Sequence, residues 1–136
     1  MSRIRGKDTK PEMRVRKFLH ARGFRYKLHD TSLPGKPDIV LPKYKAVVNV
    51  HGCFWHGHHC HLFKWPKTNR DFWKKKIEGN ILRDQKRLAE YSVAGWRSLI
   101  IWECAMKGSK RFSPSELIRR IENWIYRGES SMELRG

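Results

Sequence analysis

The chain has 136 residues, 30 of them Lys or Arg and 13 Asp or Glu, which predicts one domain with a formal net charge of +17. Such an excess of positive charge, together with 12% aromatic residues, favours a nucleic-acid partner, because phosphates attract cations and bases stack on rings. No segment has the ~20 apolar residues of a membrane-spanning helix and no signal-peptide pattern opens the sequence, which excludes an integral membrane protein and predicts a soluble, cytoplasmic one.

The first predicted elements are a basic arm over residues 1–8 and a helix that follows it. Thr9 and Glu12 form a capping box, in which a threonine side chain caps the first turn and a glutamate lies three residues further on. Gly23 marks the end of the helix, because glycine adopts the backbone conformation that follows a helix at little cost. We therefore expect a first helix of about thirteen residues.

A β-hairpin is predicted next. A strand around residues 24–29 leads to a Pro-Gly turn, and two runs rich in β-branched residues, 38–41 and 46–50, follow it. Residues 42–45 join these runs and contain a proline and a tyrosine, which is typical of a short turn between paired strands.

Cysteine and histidine crowd together after the hairpin, where two cysteines and five histidines lie within residues 51–61. An odd total of three cysteines, Cys53, Cys60 and Cys104, cannot pair completely within the chain, whereas three thiolates and one imidazole make a closed tetrahedral set for structural zinc. Spacing alone leaves the fourth ligand open among four histidines: His56, His58, His59 and His61.

The second half of the chain predicts a helix over 69–91, a buried strand over 96–102, a helix over 113–126 and a frayed tail over 127–136. Six apolar residues approximate a stripe along the long helix: Phe72, Trp73, Ile77, Ile81, Leu82 and Leu88. Together the elements predict an α/β (α+β) fold, with a mixed central sheet flanked by helices.

A zinc ion with four protein ligands has no open position, so phosphodiester hydrolysis would need a second, hard cation held by oxygen atoms. Asp38 is the candidate ligand, because it begins a strand directly after a Pro-Gly-Lys-Pro turn. The hairpin would bring the Val50 carbonyl and the His51 ring towards it. His56 lies between candidate zinc ligands, in a loop that zinc would hold in place, as a general base requires. Glu12 is a further candidate, although its role in capping the first helix would suffice to explain it.

The motifs Pro-Gly-Lys-Pro-Asp at 34–38 and His-Gly-Cys-Phe-Trp-His-Gly-His-His-Cys at 51–60 closely resemble the very-short-patch mismatch repair (Vsr) endonucleases. Phe-Trp at 72–73 and Trp-Glu-Cys at 102–104 extend the resemblance, which covers about residues 1–126. The resemblance implies one endonuclease domain over residues 1–136, with a variant of the PD-(D/E)xK nuclease fold and a structural zinc site.

The resemblance also implies an activity: one strand of double-stranded DNA is nicked 5′ of the thymine in a T:G mismatch left by deamination of 5-methylcytosine. Asp38 and the Val50 carbonyl would bind Mg²⁺, His56 would be the general base, and His51 and Glu12 would support the metal and its water. The best-known members have threonine at the Val50 position, and a carbonyl ligand survives that change.

The remaining implied roles concern zinc and DNA. The implied zinc ligands are Cys53, His58, Cys60 and Cys104, and the aromatic residues implied to wedge between base pairs are Phe54, Trp55 and Trp73. A single nick at an asymmetric lesion needs only a monomer, and other mismatch-repair proteins are expected partners. Two alternatives stay open here: a zinc-dependent DNA-binding module without catalysis, and a related nuclease with a different lesion preference.

Overall fold

The computed structural model describes residues 9–136, and the predicted arm at 1–8 lies outside them. The described residues form three helices: α1 (Lys10–Ala21), α2 (Arg70–Val93) and α3 (Pro114–Arg127). They also form five strands: β1 (Lys27–Leu28), β2 (Ile39–Leu41), β3 (Ala46–His51), β4 (Arg97–Trp102) and β5 (Ser131–Leu134). None of the helices in this part of the chain is long and apolar enough to cross a membrane.

The predicted Thr9 cap of α1 is present, and α3 has a cap of the same kind. The Thr9 hydroxyl accepts a hydrogen bond from the Glu12 backbone N–H at 3.3 Å at the start of α1. The Ser113 hydroxyl accepts one from the Glu116 backbone N–H at 3.2 Å at the start of α3. These bonds satisfy N–H groups that have no partner within the first turn of a helix, so α1 and α3 begin where the sequence predicts.

The strands form one mixed sheet in the order β1-β2-β3-β4-β5. The predicted hairpin is confirmed, since β2 pairs antiparallel with β3 and Ile39 lies opposite Val48. β3 and β4 are parallel, as are β4 and β5, and the chain crosses over through α2 and α3 respectively. The first strand is shorter than predicted, since only Lys27–Leu28 pair with β2.

The predicted frayed tail over 127–136 is wrong. α3 ends at Arg127, and β5 then adds a fifth strand parallel to β4. Leu134 is only 2% exposed, and the Trp102 indole N–H donates a hydrogen bond to the Glu133 carboxylate at 2.6 Å. The pairing with β4 specifies this strand, whereas its short, half-polar sequence carries no strong local signal.

Helices cover both faces of the sheet. On one face, residues of α1 and α3 such as Leu19 and Ile121 pack in the main core with Val48 of β3. On the opposite face, Tyr91 of α2 packs with Val47, the neighbouring residue of β3. Side chains alternate between the faces of a strand, so β3 contributes to both cores.

The predicted apolar stripe of α2 is only partly correct. Ile77 is buried, whereas Phe72 is 60% and Leu82 66% exposed. α2 runs without interruption through Gly79 and touches the rest of the chain along a narrow line, so most of its circumference remains in solvent.

Candidate active site and metal centre

Four side chains converge at the end of the sheet where β3 and β4 finish: Cys53, His58, Cys60 and Cys104. One ligand atom of each lies within 4.8 Å of the others. The His58 Nδ1 atom lies 3.6 Å from both the Cys53 and the Cys104 sulfur. Of the four histidines that spacing left open, the structure brings His58 into this group. The donor set of three sulfurs and one nitrogen fits zinc.

These four side chains, called the thiolate group below, are largely enclosed by the protein. Cys53 and Cys104 are fully buried, and they pack with Ile100 and Trp102 of β4. Burial raises the pKa of the Cys53 thiol, and burial also lowers the pKa of His58. Burial therefore favours the uncharged forms of Cys53 and His58, and a metal ion bound beside Cys53 would supply the positive charge that its thiolate needs.

A second group begins with His56. Its Nδ1 atom lies 2.7 Å from the Asp84 carboxylate, and Asp84 comes from the middle of α2. The His56 ring stacks on His51 with centroids 3.7 Å apart and planes 3° from parallel. A carboxylate on Nδ1 fixes the tautomer that leaves Nε2 able to accept a proton, which is the arrangement of a general base.

His51 is the most deeply placed residue of this second group. Burial lowers its pKa to about 3, with the neighbouring His56 as the next cause, so its ring is neutral near pH 7. Its Nδ1 atom is buried and has no hydrogen-bond partner among residues 9–136. A buried ring nitrogen without a protein partner is suited to hold a water molecule or another ligand of the cleft.

A third group joins Glu12, His29 and Asp38, whose ligand atoms lie within 4.8 Å of one another. The Val50 backbone N–H donates to one Asp38 carboxylate oxygen at 2.8 Å, and the Asn49 side chain accepts from the Asp38 backbone N–H at 2.9 Å. Burial raises the Asp38 pKa to about 6. The group therefore presents two carboxylates in a setting that favours a bound cation.

The second and third groups line one cleft of about 1000 Å³, together with Val50. The predicted catalytic residues are thus brought together, since Glu12, Asp38, His51 and His56 all face this cleft. The thiolate group lies next to it along the chain, because Gly57 alone separates His56 from His58. Gly57 has φ +62, and a Cβ there would lie 2.7 Å from the side chains of Ile77 and Ile81.

An aromatic cluster flanks the cleft. The rings of Phe54, Trp55 and Trp73 contact one another edge to face, with centroids between 5.2 and 5.6 Å apart. The Asn80 side chain donates to the Trp55 carbonyl at 2.8 Å, which ties this loop to α2. The three predicted wedge residues therefore form one contiguous apolar surface.

Sequence reasoning missed two members of the second and third groups. Asp84 lies on a polar helix 28 positions after His56, and His29 lies at the end of β1 in no recognisable motif. The one available signal for His29 is its position opposite the Asp38 segment, since the His29 backbone N–H donates to the Asp38 carbonyl at 3.1 Å.

Comparison with known proteins gives a consistent picture. The family model for the DNA mismatch endonuclease Vsr matches residues 1–62. The DNA mismatch endonuclease Vsr of Escherichia coli (strain K12) is 43% identical over 125 residues, which is 92% of this chain and 80% of that protein.

Other relatives are nicking enzymes. The type II nicking enzyme V.NmeAIP of Neisseria meningitidis serogroup A is 47% identical over 127 residues, 92% of this chain and 91% of its own length. The type II nicking enzyme V.XorIIP of Xanthomonas oryzae pv. oryzae is 47% identical over 106 residues, 78% of each chain.

Proposed function

This chain belongs to the Vsr family of DNA mismatch endonucleases and is a DNA-nicking hydrolase, and we propose that its substrate is a T:G mismatch, cut 5′ of the thymine. The observation that carries the proposal is one cleft lined by both Asp38 and His56, in which the His56 ring is paired with the Asp84 carboxylate and a half-buried aromatic cluster flanks the opening. In a DNA-binding module without catalysis, the His56–Asp84 pair and Asp38 would have no role.

Two metal ions belong to the proposal. Zinc would be held by Cys53, His58, Cys60 and Cys104. Mg²⁺ would be held by the Asp38 carboxylate and the Val50 carbonyl. When bound, this second cation supplies positive charge where the scissile phosphate gains negative charge in the transition state.

The side chains of the cleft divide the remaining work. His56 Nε2 accepts a proton from the attacking water, while Asp84 holds the protonated Nδ1 at 2.7 Å. His51, stacked on His56, fixes the plane of that ring. The water oxygen bonds to phosphorus, the bond from phosphorus to the 3′ oxygen breaks, and the leaving oxygen takes a proton from solvent. The products are a 3′-hydroxyl and a 5′-phosphate.

Mismatch recognition would use the aromatic cluster. A T:G wobble pair stacks less well than a Watson–Crick pair, so opening the stack beside it costs less than the few kcal/mol needed elsewhere in a duplex. Phe54 and Trp55 are held on the loop next to the thiolate group, and Trp73 supports them from α2. These rings would insert where the stack opens most readily.

The test is strand cleavage of end-labelled duplexes that carry T:G, T:A, C:G or another mismatch in varied flanking sequences, with zinc-loaded protein and with Mg²⁺ added or omitted. We expect cutting of the T:G strand alone, dependent on Mg²⁺. Equal cutting of T:G and T:A duplexes would overturn the mismatch assignment. Preferred cutting of another mismatch would show that T:G is not the substrate. Asp38→Ala should bind DNA without cutting it, and Mg²⁺-dependent cutting by that variant would overturn the site.

A further inference from the structure

His29 lies between the two carboxylates of the cleft. Its Nε2 atom is 3.0 Å from a Glu12 carboxylate oxygen, and its Nδ1 atom is 3.9 Å from an Asp38 carboxylate oxygen. Both ring nitrogens therefore face acidic side chains, one on α1 and one at the start of β2. The ring is half-buried, so it is part of the cleft wall rather than a surface side chain.

The backbone holds His29 in this position. Its φ of 49° is in the left-handed region, which non-glycine residues adopt rarely and which histidine tolerates better than most. Its backbone N–H donates to the Asp38 carbonyl at 3.1 Å. Main chain and side chain of His29 thus both point to Asp38, and an uncommon backbone conformation is kept where it aims the ring into a functional cleft.

The two carboxylates beside the His29 ring have different partners. Glu12 is 2% exposed and forms an ion pair with Arg16, whose guanidinium also lies 3.1 Å from His29 Nε2. On the Asp38 side, one carboxylate oxygen accepts from the Val50 N–H, and the other is the oxygen that faces His29 Nδ1. A cation placed between that oxygen and Nδ1 would meet one oxygen and one nitrogen ligand.

We propose that His29 Nδ1 is a direct ligand of the divalent cation that Asp38 binds, and that Glu12 orients the ring by accepting a hydrogen bond from Nε2. The inference rests on the proposed function in one respect, that this cleft holds a divalent cation. A carboxylate that accepts from one nitrogen of a histidine while the other nitrogen binds metal is a recurrent arrangement in metalloproteins. It gives Glu12 a role through His29.

A nitrogen ligand changes which cations the site prefers. Mg²⁺ is bound almost entirely by oxygen atoms, whereas first-row transition metals accept imidazole readily. The site is therefore expected to bind Mn²⁺ more tightly than Mg²⁺, and His29 is expected to carry much of that difference.

The direct test is electron spin echo envelope modulation of Mn²⁺ bound to the zinc-loaded protein without DNA. We expect modulation from a coordinated imidazole nitrogen in the unmodified chain and its loss in His29→Asn, because asparagine tolerates a positive φ and lacks an imidazole. His20→Asn, an exposed histidine on α1, is the matched control and should keep the signal. Zinc content and circular dichroism verify that each variant is folded.

Two results would overturn the proposal. Absence of a coordinated nitrogen in the unmodified chain would leave His29 as a hydrogen-bond donor to Asp38. An unchanged signal in His29→Asn would assign the nitrogen to another histidine, such as His51 or His56.

Affinity gives a second readout that does not depend on cutting. We expect His29→Asn to raise the Kd for Mn²⁺ by roughly tenfold or more, and the Kd for Mg²⁺ by less. Equal losses for the two ions would contradict a direct nitrogen ligand. Nicking of T:G duplexes is measured separately, so that the two proposals can fail independently. If the protein does not select the mismatch but keeps the nitrogen signal, the proposed function is wrong and the proposed His29 ligand stands.

Discussion

The thiolate group and the neighbouring cleft, lined by Glu12, Asp38, His56 and Asp84, both contain histidine but place it in different surroundings. His58 Nδ1 faces two buried sulfurs, whereas His56 Nδ1 faces the Asp84 carboxylate and leaves its other nitrogen towards a cleft of about 1000 Å³. The first setting is closed and apolar, and the second is open and charged. The surroundings of each histidine, more than its residue type, therefore support the different roles proposed for His58 and His56.

This contrast predicts that the two regions can be damaged independently. Loss of a thiol should affect the fold first, because a closed metal centre contributes folding free energy. Loss of a cleft side chain should affect cutting first, because these groups carry the proposed chemistry and are not ligands of the proposed zinc ion.

The largest expected effect is that of Cys104→Ser. It removes a fully buried ligand, so zinc content should fall from one ion per chain to near none, and the free energy of unfolding should fall by roughly 5 kcal/mol or more. Metal analysis and chemical denaturation measure both quantities. Asp38→Asn is the control, since it should keep zinc, and a Cys104→Ser protein with unchanged stability would break the comparison.

Asp38→Asn should reduce T:G nicking by about 10³-fold or more while DNA affinity stays within a few-fold, because the carboxylate charge is lost and the shape is kept. Single-turnover cleavage and a binding titration measure the two. Residual Mg²⁺-dependent nicking near the original rate would show that the cation is held elsewhere.

Asp38→Asn should also change how the stability of the folded protein depends on pH. The Asp38 pKa is raised from 3.8 to about 6 in the folded chain, so without added divalent cation the unmodified protein loses stability as pH rises through 6. Asparagine has no such loss. The variant should therefore match the parent near pH 4 and exceed it by up to roughly 3 kcal/mol at pH 8. Denaturation at the two pH values checks this.

Asp84→Asn should slow nicking by about 10- to 100-fold with zinc content and stability nearly unchanged, because His56 loses the carboxylate that fixes its tautomer. The pH–rate profile should change shape as well, which a purely structural effect would not produce. Asp71→Asn, an exposed aspartate in the first turn of the same helix, should leave the rate as it was.

The smallest expected effect is the pH dependence of cation binding in the cleft. A protonated Asp38 cannot bind metal, so Mn²⁺ affinity should rise about tenfold per pH unit below pH 6 and level off above it. Mn²⁺ titrations of zinc-loaded protein between pH 5 and 8 measure the curve. A flat curve would mean that Asp38 is already ionised at pH 5.

Local patterns in the sequence predicted most of the fold. The capped starts of α1 and α3 and the β2–β3 hairpin depend on residues within a few positions of one another, so they can be read in a short window. β5 could not be predicted in this way, because its strand conformation comes from pairing with β4, more than thirty residues earlier.

The site residues also divide into those that a local sequence motif predicts and those that only the tertiary structure brings together. The cysteines and histidines of the loop form a dense local motif, and the structure brings Cys53, His58 and Cys60 together with the distant Cys104. Asp84 and His29 have no such motif. Each reaches the cleft because a helix or a strand end crosses it, which is a property of the tertiary structure.

The single glycine between His56 and His58 has a consequence for how this loop tolerates change in length. Gly57 adopts φ +62 and packs so closely against Ile77 and Ile81 that α2 leaves no room for a side chain. An insertion or deletion at this point would displace His56 from Asp84, His58 from the cysteine sulfurs, or both. Length variation among functional variants should therefore be tolerated at exposed turn residues such as 109–111 and be absent between positions 56 and 58.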